Sequence, residues 1–269
     1  SVETLGSTTV ICSDKTGTLT KGEMTVRKIY LNDDIIEVTG VGYEPKGEFY
    51  RNGVYLNPKD EADLSLLLRI GVLCNNARLE KTGDGWRILG DPTEGALIVA
   101  AAKMGIVEEV EKSHPRVDEV PFSSERKRMT TIHLTPDGEK HAYVKGAPEV
   151  VLDRCTRFLQ GGRAKKLSEV EKEKILKANV EMAREALRVL GMAYKDLPKG
   201  LDNPTEESME RDLVFVGLVG MIDPPREEAI EAARLCEKAG IKAVMITGDH
   251  EMTATAIAKE MGILKEEGL

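Results

Sequence analysis

Asp14 is the residue from which chemistry can start. It follows residues 8–13 (TTVICS), a β-branched and apolar run on both parities that reads as a parallel strand buried on both faces. Ligands of an open parallel sheet bind beyond the carboxyl ends of its strands, and Asp14 stands at such an end. The loop that follows, Lys15-Thr16-Gly17-Thr18-Leu19-Thr20, offers a glycine and hydroxyls that can wrap oxygen atoms closely. A carboxylate here can attack a phosphoryl group, because an acyl phosphate splits one hard hydrolysis into two easier steps. Nucleophile and phosphate repel, so the attack calls for Mg²⁺ and a cation such as Lys15 or an arginine.

A second half of such a site is available at Thr247-Gly248-Asp249, directly after an expected strand at 242–246. A hydroxyl and backbone N–H groups at a strand-to-helix turn can hold phosphate oxygens. Alone, that tripeptide reads as an ordinary turn. A phosphate donor must also be held, yet no GxxxxGK[ST] loop occurs in the sequence. Residues 121–129 (PFSSERKRM) and 145–149 (KGAPE) offer Phe122 to stack an adenine face, and Lys127 and Lys145 to neutralise triphosphate charge. Taken alone, this set reads first as a core phenylalanine among solvated lysines. In residues 90–95 (GDPTEG), Asp91 as N-cap, Pro92 at the first helical position and Glu94 three residues after Asp91 make a capping box.

The elements that must position these residues fall into two groups. At both ends the pattern is strand, helix, strand, helix: residues 8–13, then a strand at 213–222, a helix at 226–239 stopped by Gly240, a strand at 242–246 and a helix at 251–261. That alternation predicts a parallel sheet with crossover helices. Between them, strands are expected at 24–31, 86–89, 129–134 and 141–145, with turns at Asp84-Gly85 and Pro136-Asp137-Gly138. Helices are expected at 60–74, 92–104 and 168–190, giving an antiparallel sheet flanked by helices. The expected division is therefore 1–23 and 213–269 in one parallel-sheet domain, with 24–212 as an inserted α+β domain.

Composition limits the alternatives. The 269 residues are 41% hydrophobic and 31% charged, enough for two cores in an ordinary globular chain. A net charge of -8 argues against nucleic acid or anionic lipid as partner. Cys12, Cys74, Cys155 and Cys236 form no CxxC pair and read as buried reduced thiols. The longest apolar run, 215–222, is far short of the roughly 20 residues that a membrane span needs. The sequence opens without an initiator Met and runs directly into a strand, as a piece of something longer would.

The run Asp14 to Thr20, DKTGTLT, resembles the phosphorylation loop of P-type ATPases, cation pumps whose catalytic domain has the haloacid dehalogenase fold. The resemblance spans the whole chain. It implies that Asp14 is the phosphorylated residue and that Mg²⁺ is held by the Asp14 carboxylate and the Thr16 main-chain carbonyl. Thr247-Gly248-Asp249 is similar to the family's TGD motif, and residues 221–226 (MIDPPR), with Asp223 and Arg226, to its DPPR hinge segment. The segments holding Phe122, Lys127, Lys145 and Gly146 resemble the adenine-binding and KGAPE motifs of the nucleotide-binding domain, and Glu94 would reach the adenine edge. Arg188, in Leu187-Arg188-Val189-Leu190, would contact the phosphates and link to Asp223 when the domains close.

The fold so implied is α/β: a partial haloacid-dehalogenase-like parallel sheet with an inserted nucleotide-binding domain. The function implied is that of the ATP-binding and phosphorylation portion of an ATP-driven, type II, calcium-pump-like transporter, soluble itself and working at the cytoplasmic face of a membrane. Its partners would be ATP and the parent pump's transmembrane and actuator domains. The family's last motif, GDGxNDxP, does not occur before Leu269, so incomplete activity and self-association through an unpaired sheet edge are expected of this piece. A soluble phosphatase of the same superfamily is the alternative, but phosphatases carry an acid where this chain has Thr16, and without it hydrolysis is disfavoured. A nucleotide-binding module without chemistry is the third reading. Two decoys are structural: His114-Pro115 has no partner for a metal site, and Thr82-Gly83-Asp84-Gly85 is a hairpin turn.

Overall fold

A computed structural model describes residues 6–83, 85–198, 205–248 and 251–264. Its strands are β1 (Val10–Asp14), β2 (Thr25–Leu31), β3 (Asp34–Val38), β4 (Phe49–Arg51), β5 (Val54–Leu56), β6 (Arg78–Thr82), β7 (Gly85–Leu89) and β8 (Arg116–Val120). They continue with β9 (Arg128–Leu134), β10 (Lys140–Gly146), β11 (Cys155–Gln160), β12 (Arg163–Lys166), β13 (Arg188–Leu197), β14 (Leu213–Ile222) and β15 (Lys242–Ile246). The helices are α1 (Ala62–Leu73), α2 (Pro92–Met104), α3 (Val107–Ser113), α4 (Pro148–Leu152), α5 (Glu169–Arg184), α6 (Glu206–Met209), α7 (Glu227–Lys238) and α8 (Glu251–Glu260).

One large sheet dominates, in the order β5-β4-β3-β2-β14-β13-β10-β9-β8, with β11 beside β14 and β12 beyond it. All its pairings are antiparallel except β11 with β14. Helices cover both faces, because the strands present apolar side chains to both. In β14, Val214, Val216, Val219 and Met221 join the core under α1 and α2, while Leu213, Phe215, Leu218 and Ile222 join the core under α4 and α5. A change of register against β13 beside Gly217 explains why the alternation switches parity there. Gly217 itself is required: a Cβ would stand 2.5 Å from the Tyr30 carbonyl oxygen.

This placement of β14 corrects the reading of residues 213–222 as a strand of the parallel sheet. Its full burial and long apolar run suit any central strand, and the antiparallel neighbours β2 and β13 provide that environment here. The parallel part is β1 paired with β15, Asp14 opposite Ile246, with α7 packed beside β15. β1 is also not buried on both faces: Val10 and Ile11 are 47% and 41% exposed, since among the described residues β15 is its one sheet neighbour. Cys12 on that strand is accordingly exposed and Cys236 on α7 half-buried, whereas Cys74 and Cys155 are buried as expected. The long helix ends at Arg184 rather than at 190: Ala186 takes a positive φ of 60°, and β13 begins at Arg188.

The hairpin reading of residues 82–85 agrees with the pairing of β6 and β7, in which Thr82 lies opposite Gly85; Asp84 lies outside the described residues. His114 is buried, with Ser113 Oγ 2.8 Å from its Nδ1 and its carbonyl 2.7 Å from His133 Nδ1.

Candidate functional site

The turn after β1 is built around a hydroxyl. Gly17 takes a positive φ of 75°, which folds residues 15–19 back so that Thr20 N donates to the Lys15 carbonyl at 2.9 Å. Thr20, wholly buried, donates from Oγ1 to Asp223 Oδ2 at 2.6 Å and accepts from Gly17 N at 3.3 Å. Asp223 also accepts from Gly22 N at 2.8 Å and Glu23 N at 3.2 Å. Arg226 completes the tie, its Nε donating to the Thr20 carbonyl at 3.0 Å and Nη2 to the Gly17 carbonyl at 3.3 Å. Asp223 and Arg226 thus clamp the loop that carries Asp14, a charge-assisted arrangement stronger than neutral hydrogen bonds.

Asp14 itself is exposed at the end of β1, and its strand partner Ile246 precedes Thr247 and Gly248. Asp249 lies outside the described residues. Lys15 is buried, and with Thr16 it lines a cavity of about 680 Å³ whose other walls include Asp91, Thr93, Arg188 and Asp223.

The second cavity, about 580 Å³, lies in the large lobe and is lined by Phe122, Lys127, Met129, Lys145, Gly146 and Leu190, together with Asn76, Asp91, Thr93, Glu94 and Arg188. Its size suits a nucleotide-sized ligand. Asp91 caps α2, accepting from Thr93 N at 2.8 Å and Glu94 N at 3.2 Å, with Pro92 at the first helical position. The expected capping box is only half formed, because the Glu94 side chain turns away from the cap. Its Oε1 accepts from Lys145 Nζ at 2.6 Å and its Oε2 from Asn76 N at 3.0 Å. A carboxylate oxygen has more than one acceptor site, so a further N–H donor in the cavity can still be met. Lys145 and Glu94 are both nearly buried, so their charges compensate each other in the floor of the cavity.

Phe122 is not a core residue: it is 61% exposed at the rim, leaving an aromatic face open to a flat ligand. Gly146 is where the backbone must come close, since a Cβ there would meet Arg128 Cβ at 2.6 Å. Arg188 donates to Thr93 Oγ1 at 2.9 Å, whereas the oxygens of Asp223 are taken by Thr20, Gly22 and Glu23. Arg188 and Asp223 nevertheless line one cavity, and Asp91, Thr93 and Arg188 line both cavities. Near this junction burial, followed by the carboxylates of Glu23, Asp223 and Asp91, pushes the Tyr43 hydroxyl above the ordinary phenol range. Among the described residues no group of three or more His, Cys, Asp or Glu side chains gathers as a metal site.

Asn76 and Thr93 had no signal in the sequence as site residues. Asn76 sits between a helix and a hairpin, and its contribution is a backbone N–H; Thr93 lies within a cap sequence whose ordinary role hides it. Thr20 belonged to a recognisable loop, but its bond to Asp223 depends on a segment 203 residues away.

A helix-flanked antiparallel lobe with this cavity, beside a loop that starts DKTGTLT, is the arrangement expected of a cytoplasmic unit of the P-type ATPases. Residues 63–228 match the family described as P-type ATPase, cytoplasmic domain N, and the chain belongs to that family. It is 42% identical over 99% of its length to a calcium-transporting ATPase of Bacillus subtilis, and 46% identical over 98% to the cation-transporting ATPase pma1 of Synechocystis. A calcium-transporting ATPase 1 of Bacillus cereus is 43% identical over 98%. The chain spans 27 to 30% of the length of these curated relatives. No described helix is long and apolar enough to cross a membrane.

Proposed function

We propose that this chain is the ATP-binding and phosphorylation portion of an ATP-driven cation pump. ATP lies with adenine against Phe122 and near Glu94, its phosphates running past Lys127, Lys145 and Arg188 towards Asp14. An Asp14 carboxylate oxygen attacks the γ-phosphorus, the bond to the bridging oxygen breaks, and its electron pair leaves on ADP. The resulting aspartyl phosphate drives ion transport in the parent pump, with Thr16, in place of an acid, keeping the intermediate from rapid hydrolysis.

The observation that carries this reading is the junction of the two cavities. Asp91, Thr93 and Arg188 line both, so the space beside Phe122 adjoins the space beside Lys15 and Thr16. Mg²⁺ fits the Asp14 end, since the carboxylate of Asp14 and the main-chain carbonyl of Thr16, both exposed residues, are hard oxygen donors. Bound there it would screen the charge between carboxylate and phosphate. Lys15, the Thr247 hydroxyl and the backbone N–H groups of the turn Thr247-Gly248-Asp249 then hold phosphate oxygens, while Asp223 and Arg226 keep the loop in register.

The β1–β15 pair is read as part of a haloacid-dehalogenase-like sheet, and the division between the two domains falls near Asp223, one strand later than the alternation implied. The transported ion is proposed to be calcium, in keeping with the names of two of the relatives above. Its work place is the cytoplasmic face of a membrane, with the transmembrane and actuator domains of the pump as partners.

Titration calorimetry with ATP on the wild type, Phe122→Ala and Lys145→Ala tests the pocket. Each substitution is expected to weaken binding by about tenfold, or about 1.4 kcal/mol. Unchanged affinity in both variants contradicts the assignment.

A further inference from the structure

Glu210 lies outside the cavity, yet it binds two cations of a segment that also lines it. We propose that Glu210 is the positioning residue that fixes Lys127 toward nucleotide phosphate, an inference that rests on the pocket reading above.

Along the segment entering β9, Arg126, Arg128 and Thr130 all reach Glu210, while the intervening Lys127 and Met129 line the cavity. From Arg128 onward, side chains two apart share a face of the extended strand, and in the turn before it the Arg126 contact to Glu210 puts that guanidinium on the same side. Glu210 is 0% exposed. Its Oε2 accepts from Arg128 Nε at 2.6 Å; its Oε1 accepts from Thr130 Oγ1 at 2.6 Å and from the Arg126 guanidinium. Glu206 adds an ion pair to Arg126 Nε at 2.5 Å. A buried carboxylate is costly unless its oxygens are met by donors, so this set is an obligate one.

Lys127 shows why such a lock is needed. Its φ of 51° is in the left-handed region, which a long side chain adopts only where the surroundings hold it. Its backbone is pinned as well, the N–H donating to the Ser123 carbonyl at 2.7 Å and the carbonyl accepting from Ala147 N at 2.9 Å. Three cations are consecutive here, Arg126, Lys127 and Arg128, and a slip of one residue would exchange the one facing the cavity for those facing away. Only one register gives Glu210 two guanidinium groups and a hydroxyl. The buried carboxylate therefore selects Lys127 as the cation presented to the ligand.

The test compares ATP with adenosine, which lacks the phosphates, by titration calorimetry on the wild type, Glu210→Gln, Lys127→Ala and the double variant. Glu210→Gln is expected to weaken ATP about tenfold while adenosine changes by less than about twofold, and Lys127→Ala added to it should cost little more. Hydrogen exchange at the Lys127 and Ala147 amides should accelerate in the same variant. Equal loss for both ligands, unchanged ATP affinity, or fully additive losses would overturn the proposal. If Glu210→Gln does not fold, Arg126→Gln carries the test on the same criteria, because Arg126 is the partly exposed member of the set. Failure of the pocket reading is distinguishable: there, Lys127→Ala and Phe122→Ala would leave ATP binding unchanged.

Discussion

β14 and β1 both open on apolar runs, with opposite fates. All ten residues of β14 are buried between two helical layers, while four of the five residues of β1 are exposed beside a single neighbour. The same contrast runs through the helices: α1 buries eight of its residues and α7 none. The lesson is that an apolar run states what a strand requires, not which neighbours supply it. It also separates the two tasks of the site. On the proposed function, ligand recognition falls to a well-packed lobe, where Lys145 and Glu94 are paired, and the Asp14 loop is held mainly by hydrogen bonds that Thr20 and Arg226 donate and Asp223 accepts.

The largest effect expected from that contrast is on stability. Ile29, fully buried in β2, should cost about 2–5 kcal/mol as Ile29→Ala. Ile11→Ala, on exposed β1, should cost no more than about 0.5 kcal/mol. Chemical denaturation of both variants checks this, and similar losses would mean that β1 is packed as tightly as the lobe.

A smaller and local effect is expected of Thr20→Val. The Asp223 carboxylate loses its 2.6 Å donor but keeps two backbone N–H groups, so the cost should be about 1–3 kcal/mol. Faster hydrogen exchange should appear at Gly17 and Gly22 and not in β14. Acceleration spread equally over the lobe would show that the clamp is not local.

The smallest effect concerns acid. Burial first of all holds the His133 imidazole below its ordinary value of 6.5, against the opposing pull of the His114 and Leu73 carbonyls. Below that ordinary value the unfolded chain binds a proton that the folded chain resists, so stability rises with pH in that window and is lost as pH falls. Melting temperature should therefore drop between about pH 7 and pH 5, and His133→Asn should flatten the slope. An unchanged slope would assign the acid sensitivity elsewhere.

Much of this was legible in the sequence where local signals were strong. Pro92–Met104 was expected at the bounds observed, because Asp91, Pro92 and Gly105 mark its ends. The strands β9 and β10 followed from their alternation and from the turn at Gly138, which takes a positive φ of 78°. What failed was what tertiary partners decide. The start of β13, residues 188–190, was hidden in an apparent extension of α5, since nothing local marks Ala186 as a left-handed residue. The half-formed capping box at Glu94 shows the same limit: the pattern fixed the helix start, while Lys145, 51 residues away, claimed the carboxylate. Phe122 was ambiguous for a similar reason, because an aromatic at a cavity rim and one in a core have the same neighbours in sequence.

The central claim is that Asp14 receives phosphate from a nucleotide held in the large lobe. The direct measurement is acid-stable labelling from γ-labelled ATP in the intact parent pump, mapped by mass spectrometry, for the wild type and Asp14→Asn. The label should sit on Asp14 and vanish in Asp14→Asn, with ATP binding retained. A label on another residue, or labelling that persists in Asp14→Asn, would contradict the account.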